Sequence, residues 1–250
     1  QGKRTSSPTI QGVVGMKSTK NIQLIRERMP EICSQGFIET MRKGNTGVGY
    51  TFEELWGLEE NNDSGADLDG EVEFKATRKN KKRKVTAFTQ TPLWNVALRD
   101  IIRTYGIEDE EHENRINWMA SLSPKPNPAG LRLEVVEETV YIVNSSNKEL
   151  ASIHLEVLKH RFKMKLTNAL LVYANTRKIN KVEHFHYDEA YLCLNIDTQS
   201  IKNLILDGKL VVEPRVWLDT GTNKLRDRGM AFRLDGKYLK ELYSSVEKIL

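Results

Sequence analysis

The segment Asp67-Leu-Asp-Gly-Glu-Val-Glu-Phe-Lys75 places four carboxylates and a lysine in nine residues. In its second half, charged and apolar residues alternate. That alternation predicts a strand, because residues i and i+2 of a strand point to the same face. Glu73 and Lys75 then project together, while Val72 and Phe74 enter a core. The chain must therefore build a sheet with one apolar face and one chemically active face. Carboxylates are hard oxygen ligands that suit Mg²⁺. A lysine beside the ion orients an attacking water, which is the equipment for metal-assisted phosphodiester cleavage. A Glu-x-Lys alone is usually a solvated strand. Here a glycine-rich stretch carrying Glu53 precedes it and a basic run follows it.

The chain has 250 residues, 39% hydrophobic and 29% charged, which is enough for one large domain or a domain with an inserted lobe. The formal net charge is +4. This permits nucleic-acid binding without requiring it. Two cysteines, Cys33 and Cys193, make neither a disulfide framework nor a zinc quartet. That pattern fits a reducing, cytoplasmic compartment. No run approaches a transmembrane helix, and no membrane partner is expected.

Residues 1–17 read as a flexible polar arm. A helix is predicted from Ser18 or Thr19 to Ser34, kinked or split at Pro30 and stopped near Gly36. Gly44-Asn-Thr-Gly-Val-Gly49 is a turn-rich loop leading into a helix over 50–60. After the Glu73/Lys75 strand, residues 78–84 hold six basic residues, read as a hairpin tip, with a return strand over 85–89. A helix over 94–105 follows, then strands at 115–122, 131–136 and 139–144. A helix over 149–162 precedes an apolar strand from Leu166 to Asn175, read as covered on both faces. Glu183-His-Phe-His-Tyr-Asp188 reads as a polar loop. Metal binding at His184 and His186 is disfavoured there, because the partners of a zinc site are missing. Further on come a strand at 190–195, a short helix from Thr198 to Leu206, and strands over 211–217 and 230–234. The last stretch, 237–250, reads as an amphipathic helix. The mixture gives an α/β (mixed α+β) class with a mixed sheet flanked by helices.

Several blocks resemble one known family. Met41-Arg-Lys-Gly-Asn-Thr-Gly-Val-Gly-Tyr-Thr-Phe-Glu-Glu-Leu55 resembles the segment before the active site of the MvaI/BcnI restriction endonucleases, which are similar in fold to the MutH nicking enzyme. Asp67…Glu73-Phe-Lys75 falls where the family's PD-(D/E)xK motif sits. Ala87-Phe-Thr-Gln-Thr-Pro92 and Arg228-Gly-Met-Ala-Phe-Arg-Leu234 resemble two further stretches.

This resemblance implies a restriction-endonuclease-like core with two lobes forming a DNA cleft. It implies a catalytic lobe over 18–125 and parts of the C-terminal half, and a recognition lobe over most of 126–250. It also implies a monomer using one or two Mg²⁺ ions to cut double-stranded DNA in two sequential nicks at a short GC-containing site. Asp67 and Glu73 would be metal ligands, Lys75 would position the water, and Glu53 would be the upstream carboxylate. The Asp67-to-Glu73 spacing is one residue longer than the family's, which makes Asp69 a competing ligand and Glu71 a decoy. Arg226 and Arg228 stand where the family carries histidines. A restriction role implies a cognate DNA methyltransferase in a bacterial or archaeal host.

Chemistry extends the candidate list. Arg78, Lys81, Lys82 and Arg83 would contact phosphates beside the active site. Arg215, Asp219, Lys224, Arg226, Asp227, Arg228 and Arg233 surround the C-terminal strand pair. Arginine pairs with the guanine O6/N7 edge and Asp accepts from cytosine N4, so this mix suits a G·C-containing site. Arg233 alternates with apolar neighbours and is also readable as structural. Two other functions stay open: a MutH-like repair nickase dependent on a partner, and a DNA-binding module with a dead nuclease site.

Overall fold

The computed structural model describes residues 10–58, 65–79 and 84–250, with side chains from residue 19 onward. In chain order the elements are α1 (Ile10–Ser34), β1 (Ile38–Glu39), α2 (Gly47–Leu55), β2 (Val72–Arg78), β3 (Lys84–Gln90), β4 (Leu93–Trp94), α3 (Leu98–Tyr105), β5 (Ile107–Glu108), β6 (Arg115–Trp118), β7 (Arg132–Val136), β8 (Thr139–Val143), β9 (Glu149–His154), α4 (Leu155–Leu166), β10 (Asn168–Ile179), β11 (Val182–Ile196), α5 (Ile201–Leu206), β12 (Leu210–Asp219), β13 (Leu225–Asp235), α6 (Gly236–Lys240) and β14 (Tyr243–Lys248). The mixed α+β class is as the sequence implies. The chain divides into two compact units, one of 1–81, 167–194 and 245–250, the other of 82–166 and 195–244.

The first unit is built on a sheet ordered β1-β11-β10-β2, with β14 also pairing β11. β2 runs parallel to β10, with Glu73 beside Ala169 and Lys75 beside Leu171. Strand parity sends Val72 and Phe74 into a core shared with Phe52 and Trp56 of α2, Ile25, Met29 and Ile32 of α1, and Phe185 and Tyr187 of β11. Phe52 lies 5.5 Å from Phe74 and 5.1 Å from Tyr187, ring centre to ring centre. Each such fully buried ring contributes about 1.5–3 kcal/mol through loss of exposed apolar area. One face of β2 is therefore fixed by packing, which leaves Glu73 and Lys75 on the other.

The second unit holds two sheets, β3-β13-β12-β6-β5 and β4-β9-β8-β7. The β12–β13 pair carries the C-terminal candidates and slips register between Pro214 and Val216. A proline cannot donate to a ladder, so an irregularity there is expected.

Several boundaries differ from expectation. α1 begins at Ile10, ahead of the predicted cap, and passes through Pro30 unbroken. Met29 and Ile32 are buried on either side of that proline, so packing compensates the hydrogen bond it removes. The segment 149–162 is β9 followed by α4 rather than one helix. His184 and His186 lie on β11, not in a loop. The C-terminal helix is also corrected: only Gly236–Lys240 is helical, and Tyr243–Lys248 adds a strand to β11. Finally, β2 and β3 do not form a hairpin. β2 pairs with β10 and β3 with β13, in different units, and residues 80–83 of the basic run lie outside the described residues.

Candidate active site

Leu68 to Glu71 make a tight turn into β2, with Asp69 and Gly70 both at positive φ (50° and 74°). A bridge between Leu68 and Val72 closes it. The turn brings Asp67 alongside the strand, where its Oδ2 accepts the Phe74 amide at 2.7 Å. That bond fixes a carboxylate at the level of Glu73. Glu73 is 3% exposed, and its Oε1 pairs with the Lys75 ammonium. A buried carboxylate needs such a partner, because an isolated charge out of water is costly.

The same turn separates the competing acids. Asp69 is exposed in the left-handed conformation. Glu71 precedes the strand, and its Oε2 accepts a hydrogen bond from Asn21 Nδ2 of α1 at 3.1 Å, which draws it toward α1. Glu53 follows Phe52 on α2, and Phe52 packs directly on Phe74 of β2. Its charge acts on Tyr187, whose hydroxyl burial pushes well above the usual phenol range.

Among the described residues no group of three or more His, Cys, Asp or Glu is gathered to cage a metal. The carboxylates of Asp67 and Glu73 are still the donor type that Mg²⁺ takes. That ion commonly takes one or two protein carboxylates and completes its shell with water and substrate phosphate. His184 and His186 are engaged elsewhere: a His186 ring nitrogen lies 3.1 Å from the Cys33 carbonyl, and a His184 ring nitrogen lies 3.1 Å from the Val182 carbonyl.

Arg78 corrects the reading of the basic run. It is 4% exposed and points into the core face, not to solvent. Its guanidinium donates to both Glu183 oxygens at 2.7 and 2.6 Å and to the Gly44 and Asn45 carbonyls at 3.0 Å. Phe185 lies beneath it at 5.1 Å. This clamp holds the glycine-rich loop, and the Tyr187 hydroxyl adds a bond to the Val48 carbonyl at 2.9 Å. Together they set the start of α2, which carries Glu53. Sequence reasoning missed Glu183 and Tyr187 because their partners lie more than a hundred residues away. Lys81, Lys82 and Arg83 lie outside the described residues.

In the second unit the candidates divide. Arg226, Asp227, Arg228 and Lys224 are exposed, as is Arg215. Arg215 donates to the Thr89 hydroxyl at 3.3 Å. The Asp227 carboxylate accepts the Gly229 amide at 2.7 Å. Gly229 holds φ +74°, and an added Cβ would lie 3.0 Å from Thr89 Cγ2. Arg228 thus projects from a locally locked bend. Asp219 caps the hairpin turn: its carboxylate accepts the Thr222 amide at 2.8 Å, and that bond holds its pKa below the usual carboxylate value. Arg233 is half-buried, bonded to Glu213 at 2.5 Å and to the Lys84 carbonyl at 2.9 Å, as the structural reading of its alternation suggested.

No curated protein matches the chain in sequence. A solved complex of restriction endonuclease MvaI with its cognate DNA substrate superposes with TM-score 0.77 at 24% identity, over 91% of this chain and 98% of that one. MvaI without DNA superposes with TM-score 0.52 at 20% identity, over 98% of this chain and 100% of that one. At these identities the likeness is one of fold. The sequence model of the MvaI/BcnI restriction endonuclease family matches residues 26–243, so the chain belongs to that family.

Proposed function

We propose that this site-specific DNA endonuclease is Mg²⁺-dependent and hydrolyses phosphodiester bonds at a short GC-containing site in double-stranded DNA. The observation that carries the reading is the buried Glu73 paired with Lys75 beside the anchored Asp67, within a chain of the matching family. Asp67 and Glu73 would hold the ion, which supplies charge neutralisation and a bound water of lowered pKa. The chain's residues do the positioning. Glu73 fixes the Lys75 ammonium on the strand face. From there Lys75 donates hydrogen bonds toward the attacking water and the phosphate oxygens, where negative charge develops. Glu53 supports this face from α2.

The first unit carries catalysis and the second carries recognition, through Arg215, Asp219, Lys224, Arg226, Asp227 and Arg228. Among the described residues a single copy has one such site, so the enzyme would act as a monomer that breaks the two strands by successive nicks. Its partner in the cell is a cognate methyltransferase that shields host DNA in the cytoplasm. Digestion of plasmid and phage DNA with Mg²⁺, beside an EDTA control, tests this. Discrete fragments sharing one end sequence, absent with EDTA, are expected. Intact DNA under every metal condition would refute it.

A further inference from the structure

Resting on the reading of this chain as a DNA endonuclease, we infer that the C-terminal edge of the first unit's sheet is a second DNA contact. It would grip backbone phosphates outside the recognition site. β2 and β10 run parallel, so both C-terminal ends meet one edge of the sheet. β10 outruns β2 by five residues and turns at Asn180 and Lys181, both at positive φ (50° and 67°). The turn tip exposes Arg177, Lys178 and Lys181.

The glycine-rich loop joins the same edge. The Thr40 amide donates to the Glu183 carbonyl at 2.9 Å. Arg78 ties the Gly44 and Asn45 carbonyls to the Glu183 carboxylate, and Glu183 is the register partner of Lys178. Lys43 precedes Gly44 on this tethered loop, at the same end of the sheet.

Two arginines at this edge are held in place by rings. Arg42 lies 3.6 Å over Tyr50 and Arg177 lies 3.9 Å over Phe37. For Arg177, stacking fixes the guanidinium plane while its edge stays able to donate. Lys43, Lys178 and Lys181 are exposed and make no ion pair among the described residues. Glu183 is consumed by Arg78, and Asp188 and Glu189 by Lys79 at 3.0 and 3.1 Å. The edge is therefore a cationic ridge, with Glu39 exposed on β1 and Glu54 exposed beside Tyr50.

Its distance from the catalytic face follows from the register. Lys75 lies beside Leu171, and Arg177 is six residues further along β10. At about 3.3 Å per residue this is about 20 Å. For a duplex lying along β10, rising about 3.4 Å per base pair, the ridge would reach phosphates about six base pairs from the scissile bond. Such contacts carry no base information and instead add affinity and salt dependence.

The test is the variant Lys43→Ala/Lys178→Ala/Lys181→Ala, with folding checked by its thermal midpoint. Binding to a long duplex bearing the site is measured in EDTA across salt. Three lost phosphate contacts should lower the salt slope by about 2.7. Between 50 and 200 mM salt, the variant should then lose about 40-fold less affinity than the wild type. Single-turnover cleavage at saturating enzyme should be unchanged. On a duplex trimmed to about three base pairs of flank, the two proteins should bind alike. An unchanged slope on long DNA overturns the proposal, as does a slope change that persists on trimmed DNA. Wild type that binds with the predicted slope but cuts nothing would refute the nuclease reading alone.

Discussion

Breaking the Arg78–Glu183 clamp from its two sides should give unequal costs. The Arg78 side chain is 3% exposed and that of Glu183 is 23% exposed. Glu183→Ala leaves a buried guanidinium facing two carbonyls and a ring, and an uncompensated buried charge costs about 3–5 kcal/mol. Arg78→Met removes the buried charge and keeps apolar volume. Glu183 is then left in contact with water, and the lost charge-assisted bonds cost about 1.5–3 kcal/mol. The double variant should cost less than the sum, with a coupling of about 1–3 kcal/mol. For a chain of this size each kcal/mol moves the thermal midpoint by about 2–4 °C. Urea unfolding of all three variants reads these energies, and hydrogen exchange over 44–48 should report loosening of the loop. Arg78→Met should leave the salt slope of DNA binding unchanged, because the guanidinium faces the core. Equal costs for the two single variants, full additivity, or a reduced salt slope in Arg78→Met would refute the reasoning.

Three further outcomes are expected. Asp67→Asn should abolish cleavage, while Asp69→Asn, exposed in the turn, should cut within about threefold of wild type; initial rates on supercoiled plasmid decide this. Gly229→Ala should destabilise by about 1–2 kcal/mol, from the left-handed φ and the 3.0 Å approach to Thr89 Cγ2, as read by urea unfolding. Arg226→Ala and Arg228→Ala should each lose about 1–3 kcal/mol of base discrimination, narrowing the cognate-to-near-cognate ratio of kcat/KM while the thermal midpoint holds.

β2 was legible because its pattern is local: Val72 and Phe74 alternate with Glu73 and Lys75, and that parity survives folding. The roles of Asp67, Asp69 and Glu71 were not separable in sequence, since the turn at Asp69–Gly70 resets which way each acid points. Tyr243–Lys248 reads as a helix by spacing, yet becomes a strand because the edge of β11 offers unpaired backbone groups. The basic run reads as a hairpin because its flanking strands are adjacent in sequence. Their true partners, β10 and β13, lie far along the chain, where no local rule reaches. Arg78 illustrates the same limit: its charge suggested DNA, and only the distant Glu183 reveals a clamp.

The central claim is that Glu73 and Lys75 perform hydrolysis. It is tested most directly by single-turnover cleavage and equilibrium binding of Glu73→Gln and Lys75→Ala on one site-bearing duplex with Mg²⁺. The account predicts loss of strand scission in both variants, by at least about a thousandfold, with duplex affinity within about tenfold of wild type. Cleavage retained by either variant would contradict it.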